Sequence, residues 1–253
     1  MKDPYVAEMK AVVLSICSDA HIIDISHGVE KFDVHMGAFI LASAAPYFPD
    51  STVYIAVVDP GVGTERRPIV VETRRSFLVG PDNGLLILAA KREGVRHVYV
   101  IENSEFTLPK ASKTFHGRDV FAPVAANLAR GRLPSEVGPE IDGYFCPRYA
   151  KPSVKGSSLI GEVLHVDDFD NVITNISEEN LNRLGAKRSV SLLVKLGRRV
   201  TKVRYCSAYG EVGVGGLLAV IGGHGFLEIA VNQDSAVEKL KTKAGMNVQV
   251  GVA

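Results

Sequence analysis

Hydrophobic positions in the first part of the chain follow two spacings. Apolar side chains recur every three or four positions in residues 5–17 and 33–45, which predicts two amphipathic helices. Residues 119–131, with an acidic start and a glycine end, predict a third. Alternation of such helices with strand-like runs is typical of an α/β fold with a mostly parallel sheet. The β-branched runs that predict buried strands are residues 22–25, 53–58, 69–71 and 98–101.

The pattern changes near residue 147. Residues 147–158 contain two prolines, a glycine and three serines, and this composition predicts a linker. We therefore expect an α/β domain at residues 1–147, a linker at 148–158 and a second domain at 159–253. One short helix is predicted there, and the remaining runs favour a small antiparallel β domain, barrel or sandwich. Its strand-like runs are residues 159–166, 171–176, 189–196, 200–205, 217–221, 226–231 and 247–252.

Composition excludes several classes of partner. The 253 residues include 29 Lys and Arg against 28 Asp and Glu, so no strong positive field favours bulk nucleic-acid binding. Apolar runs fall short of the roughly 20 residues that span a bilayer. Residues 1–10 carry charges where a signal peptide needs an apolar core. We expect a cytoplasmic globular protein without nucleic-acid or membrane partners.

One segment of the first domain is a candidate site. Residues 57–67 have the sequence VVDPGVGTERR, and Asp59 follows an apolar strand. Ligands of open α/β sheets collect at the carboxyl ends of strands, which favours a functional role for Asp59. The alternative is an ordinary turn, because Pro60 and Gly61 supply turn dihedral angles. The glycines do not form a phosphate-binding loop, since no Gly-Lys pair follows them.

Two other segments of this domain have the same ambiguity. His116, in TFHGRD, precedes the predicted third helix, where it is either a proton donor or orienting group or a structural histidine. Asn83, in GPDNGL, belongs to a predicted turn, and its amide either supports the turn or faces a ligand.

The second domain contains a polar cluster. Residues 166–176, VDDFDNVITNI, include three aspartates, Phe169 and two asparagines without the spacing of a calcium loop. Carboxylate and amide oxygens suit the three donors of an ammonium group, and a polar hairpin loop is the alternative. The seven histidines show no spacing of a transition-metal site, so no metal is predicted.

Taken in order, these blocks resemble the S-adenosyl-L-methionine (SAM) hydroxide adenosyltransferase family, the hydrolase relatives of fluorinase and chlorinase. The resemblance implies an N-terminal α/β domain and a C-terminal β-barrel-like domain. It also implies a homotrimer, with active sites between the first domain of one subunit and the second domain of its neighbour. The matching blocks are DPYVAEMKAVV, VEKFDVHMGA, VVDPGVGTERRPIVVET, GPDNGLL, TFHGRDVFAP, VDDFDNVITNI and FLEIAVNQDSA.

The resemblance implies a reaction in which water or hydroxide attacks ribose C5′ of SAM, giving adenosine and L-methionine. No metal or cofactor is implied, because a sulfonium is a good leaving group and SAM is the substrate. The catalytic residues of the family match Asp59, Arg66 and His116. Halogenation is rejected, since the carboxylate of Asp59 would repel a halide.

Substrate-binding residues also match by motif. Phe32 and Tyr209 correspond to aromatic residues that pack against the nucleoside. Asp3, Asp167 and Asn171 suit the methionine ammonium, and other matches concern the carboxylate and the adenine. The predicted substrate-binding residues are Asp3, Phe32, Asn83, Asp167, Phe169, Asn171, Tyr209, His224, Val231 and Gln233.

The chain departs from the family pattern in three places. Gly223 replaces a typical serine, and Asp170 replaces the glycine of a usual F-G-N motif. The sequence begins at MKDPY, after the position of the family's first strand, so the first domain is expected to lack that strand and its ribose-binding aspartate. The alternative to a hydrolase is therefore a nucleoside- or SAM-binding module with little or no turnover.

Overall fold

A computed structural model describes residues 3–253, and internal contacts divide the chain into two compact units between Cys146 and Pro147. The first unit combines helices with a four-stranded sheet in the order β1-β3-β2-β4. Its helices and strands are α1 Tyr5–Ile16, α2 Val34–Ala44, β1 Val53–Ile55, β2 Pro68–Thr73, β3 Phe77–Pro81, α3 Ile87–Glu93, β4 Val95–Val100 and α4 Ala122–Ala129.

A mostly parallel sheet is not confirmed. In this sheet as described, β1 and β3 are parallel, whereas β2 is antiparallel to both β3 and β4. Residues 74–76 join β2 to β3, and so short a connection joins only antiparallel neighbours because parallel strands need a crossover.

The strand predicted at residues 22–25 was wrong. These residues have no regular secondary structure, and Ile23 is 67% exposed. A β-branched run becomes a strand only where a neighbour pairs with it. No described strand pairs with this segment.

Local contacts fix the helices that border the sheet. Asp33 caps α2 by accepting a hydrogen bond from the backbone N–H of Met36 at 2.9 Å. A side chain at Gly37 would meet Leu85 at 2.7 Å and Val58 at 3.0 Å. Glycine thus lets α2 lie directly against the chain that leads from β1 towards Asp59.

The second unit contains a closed barrel of seven strands, which confirms the predicted β-barrel-like fold. Pairing of β12 with β6 closes it, and β5 extends β6 outside the barrel. Most pairs are antiparallel, and β9 with β10 is parallel. The strands and helices of this unit are β5 Ser153–Lys155, β6 Ser158–Val166, β7 Val172–Ser177, α5 Glu178–Arg183, β8 Ser191–Leu196, β9 Arg199–Tyr205, β10 Leu217–Ile221, β11 Phe226–Val231, α6 Ala236–Leu240 and β12 Asn247–Val252.

The barrel core follows the two-residue period of its strands. On β11, Leu227, Ile229 and Val231 are buried in the core, while Ala230 packs in a separate cluster on the other face. No helix within residues 3–253 has the length and hydropathy needed to cross a membrane.

Candidate active site

Asp59 and Arg66 form a buried ion pair in the connection between β1 and β2. The Arg66 side chain is 7% exposed and that of Asp59 is 5% exposed. Arg66 donates from Nε to Asp59 Oδ1 at 3.2 Å and from Nη2 to Oδ2. This two-point contact matches the planar guanidinium to the carboxylate and fixes the orientation of both groups.

His116 joins this pair through its ring. Nη2 of Arg66 lies 3.1 Å from Nδ1 of His116. Because a guanidinium only donates, Nδ1 accepts, and the imidazole is neutral with its proton on Nε2. Burial lowers the pKa of His116 below its ordinary value, and the charge of Arg66 lowers it further against the opposing effects of Asp59 and Asp119.

One donor of Arg66 has no partner. Nη1 is buried and makes no hydrogen bond within the described part of the chain. An unmade hydrogen bond of this kind costs about 1–3 kcal/mol, more for a charged group. The guanidinium carbon lies 5.5 Å from the ring centroid of Phe121, which covers one side of the pair. A ligand or water oxygen is the natural partner of this N–H group.

The backbone brings the two segments together at a glycine. Gly63 has a φ of +76°, and a Cβ there would lie 2.6 Å from the carbonyl oxygen of Lys113. The loop before Arg66 therefore rests on the chain three residues before His116. A π-helical turn, Gly117–Phe121, follows directly. Such turns are rare in proteins overall, and where they occur they are often at functional sites.

Asn83 supports the same loop. Its Nδ2 donates to the carbonyl oxygen of Val58 at 2.8 Å, and its Oδ1 accepts from the backbone N–H of Leu85 at 3.2 Å. Both ends of the amide therefore contact backbone groups. This arrangement braces the residue that precedes Asp59.

The other two predicted binding residues of the first unit lie on its surface. Phe32 is 73% exposed and has a φ of +67°, which is unusual for an aromatic residue. Asp3 is also exposed. Strained backbone held in place by its surroundings is common at ligand sites.

The predicted ammonium-binding loop of the second unit is held together by Asp167. Its Oδ1 accepts from the backbone N–H groups of Phe169 at 3.0 Å and Asn171 at 2.8 Å. Its Oδ2 accepts from the Asn171 side chain at 2.9 Å. Phe169 is exposed, and Asp170 has a φ of +60°, the conformation that glycine would adopt more easily.

A buried carboxyl that the sequence analysis missed lies beside these residues. The hydroxyl of Tyr209 donates to Glu228 Oε2 at 2.7 Å. Asp167 and His224 are near enough to affect the titration of Glu228. The available signal was a single acidic residue inside the apolar strand FLEIAV.

The last two predicted residues are on and after β11. The Val231 side chain is buried in the barrel core, and its backbone carbonyl accepts from the N–H of Asp234 at 3.3 Å. Gln233 is exposed with a φ of +57°. No group of three His, Cys, Asp or Glu side chains suited to a metal ion occurs among residues 3–253.

Comparisons with known proteins match this chain to one family. The family model for the SAM hydroxide adenosyltransferase N-terminal domain matches residues 1–138, and the C-terminal domain model matches residues 161–249. The chain is 39% identical over 258 residues to a Thermus thermophilus protein named (R)-S-adenosyl-L-methionine hydrolase, covering 99% of this chain and 95% of that protein. A Methanocaldococcus jannaschii protein of the same name is 36% identical and covers 93% of this chain and 86% of its own length.

A more distantly related protein and a crystal structure also match the chain over nearly its whole length. A protein from Nocardia brasiliensis named fluorinase is 27% identical, with 99% of this chain and 93% of that protein covered. A crystal structure of an uncharacterized conserved protein from Thermotoga maritima superposes with a TM-score of 0.86 at 41% identity. That match covers 99% of this chain and 96% of the other.

Proposed function

The chain belongs to the SAM hydroxide adenosyltransferase family, and on that premise we propose that it is an enzyme that hydrolyses SAM to adenosine and L-methionine. Water attacks ribose C5′, the C5′–S bond breaks and a C5′–O bond forms. The sulfonium leaves as the neutral thioether of methionine. One proton of the water must be taken up by a base.

The observation that carries this proposal is the shared guanidinium of Arg66. It contacts Asp59 and His116 at once and retains a buried N–H group that has no partner among residues 3–253. We assign Nη1 to the attacking oxygen, where a charge-assisted hydrogen bond stabilises developing hydroxide character.

The two neighbours of Arg66 have complementary roles. Asp59 is the proton acceptor, since each carboxylate oxygen can accept a further hydrogen bond beside that from Arg66. His116 presents its Nε2 proton as a second donor, because its Nδ1 is occupied by Arg66. Holding the nucleophile in line with carbon and sulfur lowers the barrier by several kcal/mol.

Product analysis in isotopically labelled water tests this function. We expect incubation with SAM to release adenosine and methionine in amounts that exceed the enzyme, with ¹⁸O from water in the 5′-hydroxyl of adenosine. S-adenosylhomocysteine or methylthioadenosine as the product, in place of adenosine, would contradict attack of water at C5′. A binding module would retain nucleoside without product, and the hydrolase names of the two relatives described above do not favour it.

We also propose a homotrimer whose active sites combine the first unit of one subunit with the second unit of its neighbour. The candidate residues are divided between the two units, and Phe32 and Phe169 expose aromatic rings on different units. Exposed aromatic groups of this kind suit an interface or a bound base. A cytoplasmic location and the lack of a cofactor remain predictions from the sequence.

Mixing two inactive variants tests the shared site. Asp59→Asn alters the first unit and Phe169→Ala the second, and we expect each alone to be impaired. Random reassembly of an equal mixture should restore about a quarter of the sites, because those sites receive one intact unit from each variant. Activity that stays at the level of the separate variants, or a monomer in sedimentation analysis, would contradict the proposal.

A further inference from the structure

Glu228 is buried in a position where strands rarely place a charged group. It lies on β11 between Leu227 and Ile229, which face the barrel core, so its side chain leaves the barrel wall on the opposite face. It is nevertheless only 4% exposed. Carboxyl groups at such depth are normally paired with a cation or held by several hydrogen bonds.

The surroundings make room for this carboxyl group. Oε2 accepts the hydrogen bond from Tyr209, and a Cβ on Gly222 would lie 1.6 Å from Oε1. Any side chain at residue 222 would therefore displace the carboxyl. Glycine at 222 and tyrosine at 209 together hold Glu228 in one orientation.

Within the described part of the chain, Glu228 has no ion pair with a lysine or arginine. The titratable groups that face it are Tyr209, Asp167 and His224. Burial raises the pKa of Glu228, and Asp167 raises it further, against the hydrogen bond from Tyr209 and the influence of His224. Two neighbouring carboxyl groups without a lysine or arginine partner gain stability when a cation binds beside them.

We propose that Glu228 recognises the ammonium group of the aminoacyl part of the substrate and so determines specificity for an aminoacyl nucleoside. The inference rests on the proposed function. The oxygens of Asp167 are engaged by its own loop, and its carboxylate adds negative charge near Glu228. The carboxylate of Glu228 accepts one of the three ammonium N–H donors.

Three ligands differ in the charged groups that they would present to Glu228. Adenosine has no ammonium group, S-adenosylhomocysteine has the ammonium without the sulfonium, and SAM has both. Loss of a hydrogen bond between charged groups weakens binding about tenfold to a hundredfold. A ligand without the ammonium should be indifferent to Glu228.

The test compares Glu228→Gln with the wild-type protein. Glutamine keeps the size and can still accept from Tyr209, but it removes the charge. We expect the Kd of S-adenosylhomocysteine and the KM of SAM to rise about tenfold or more, with the Kd of adenosine within about twofold of wild type. The kcat at saturating SAM should change much less than KM. The exposed Glu179→Gln, which removes the same charge on α5 of the same unit, is the control and should change neither.

Two further results complete the test. The wild-type affinity for S-adenosylhomocysteine should increase as pH rises through the titration of Glu228, and this dependence should vanish in Glu228→Gln. If Glu228→Gln does not fold, Tyr209→Phe keeps the ring and removes the hydroxyl that orients the carboxyl, and the same selective loss is expected at smaller size.

Three outcomes would overturn the inference. These are unchanged affinities in the glutamine variant, an equal loss for adenosine, and a loss for SAM without a loss for S-adenosylhomocysteine. Absence of adenosine formation by the wild type would instead refute the proposed function, since the ligand-binding comparison does not depend on turnover.

Discussion

Arg66 and His116 are separated by 50 residues in the chain, and Nη2 of the first lies 3.1 Å from Nδ1 of the second. The contact fixes both the tautomer and the charge of the histidine, because an arginine cannot accept a hydrogen bond. The same guanidinium fixes Asp59. Chemistry at any of the three residues is therefore coupled to the other two.

Asp59→Asn should abolish most activity. The amide keeps the size of the carboxylate but is a poor proton acceptor, so we expect kcat to fall by about 10²–10⁴-fold. The affinity for adenosine should remain near that of wild type. Asp142→Asn, an exposed change in the same unit, serves as the control for the loss of one charge. Steady-state rates and calorimetric titration provide the measurements, and a kcat within threefold of wild type would remove Asp59 from the mechanism.

Acidification should lower the stability of the folded protein through protonation of His116. Burial and Arg66 lower its pKa in the folded state below the ordinary 6.5, so the unfolded chain takes up this proton more readily. The contribution of His116 to stability is present in full above about pH 6.5, decreases as pH falls below it, and levels off below the folded-state pKa. Activity should fall only near that lower pKa, because the neutral ring is the active form.

Melting curves between pH 8 and pH 5 measure this effect. In His116→Asn, which cannot take up a proton, the melting temperature should decrease less over this range than in wild type. Identical pH dependence in both proteins would contradict the assigned protonation state.

Gly63→Ala should damage both stability and activity. The positive φ disfavours alanine by about 1–2 kcal/mol, and the new methyl group would also meet the Lys113 carbonyl oxygen. Gly131→Ala is the matched control, since Gly131 has a φ of +90° with nothing near its would-be Cβ. Denaturant unfolding should show the larger loss for Gly63→Ala, and only that variant should lower kcat. Equal losses of unfolding free energy in the two variants would show that the contact with the Lys113 carbonyl oxygen adds no destabilisation.

Asn83→Ala separates a structural role from ligand contact. Loss of the amide leaves the Val58 carbonyl oxygen unpaired, so we expect about 1–3 kcal/mol lower stability and a reduced kcat as the loop before Asp59 relaxes. Adenosine affinity should change little. Asn103→Ala removes a comparable two-ended contact, with Glu136 and Glu105, far from Asp59 in the sequence. It should cost stability without lowering kcat, and a selective loss of adenosine affinity in Asn83→Ala would favour ligand contact instead.

The sequence alone determined much of the local structure. Helical periodicity predicted α1 and α2 to within two residues, because a helix repeats its buried face along its own chain. The short strand-like runs of the second domain predicted a small antiparallel β domain, and the ordered blocks of residues predicted the family and, through it, a β-barrel-like second domain. These features depend on neighbours in sequence or on patterns that span the whole chain.

Tertiary structure decided the features that depend on distant partners. Residues 22–25 have the composition of a strand, but no described strand pairs with them. The tautomer of His116 depends on Arg66, and the environment of Glu228 depends on Tyr209 and Gly222. Hydrogen bonds, burial and charge at these positions come from groups that only folding brings within a few ångströms, and no local pattern encodes them.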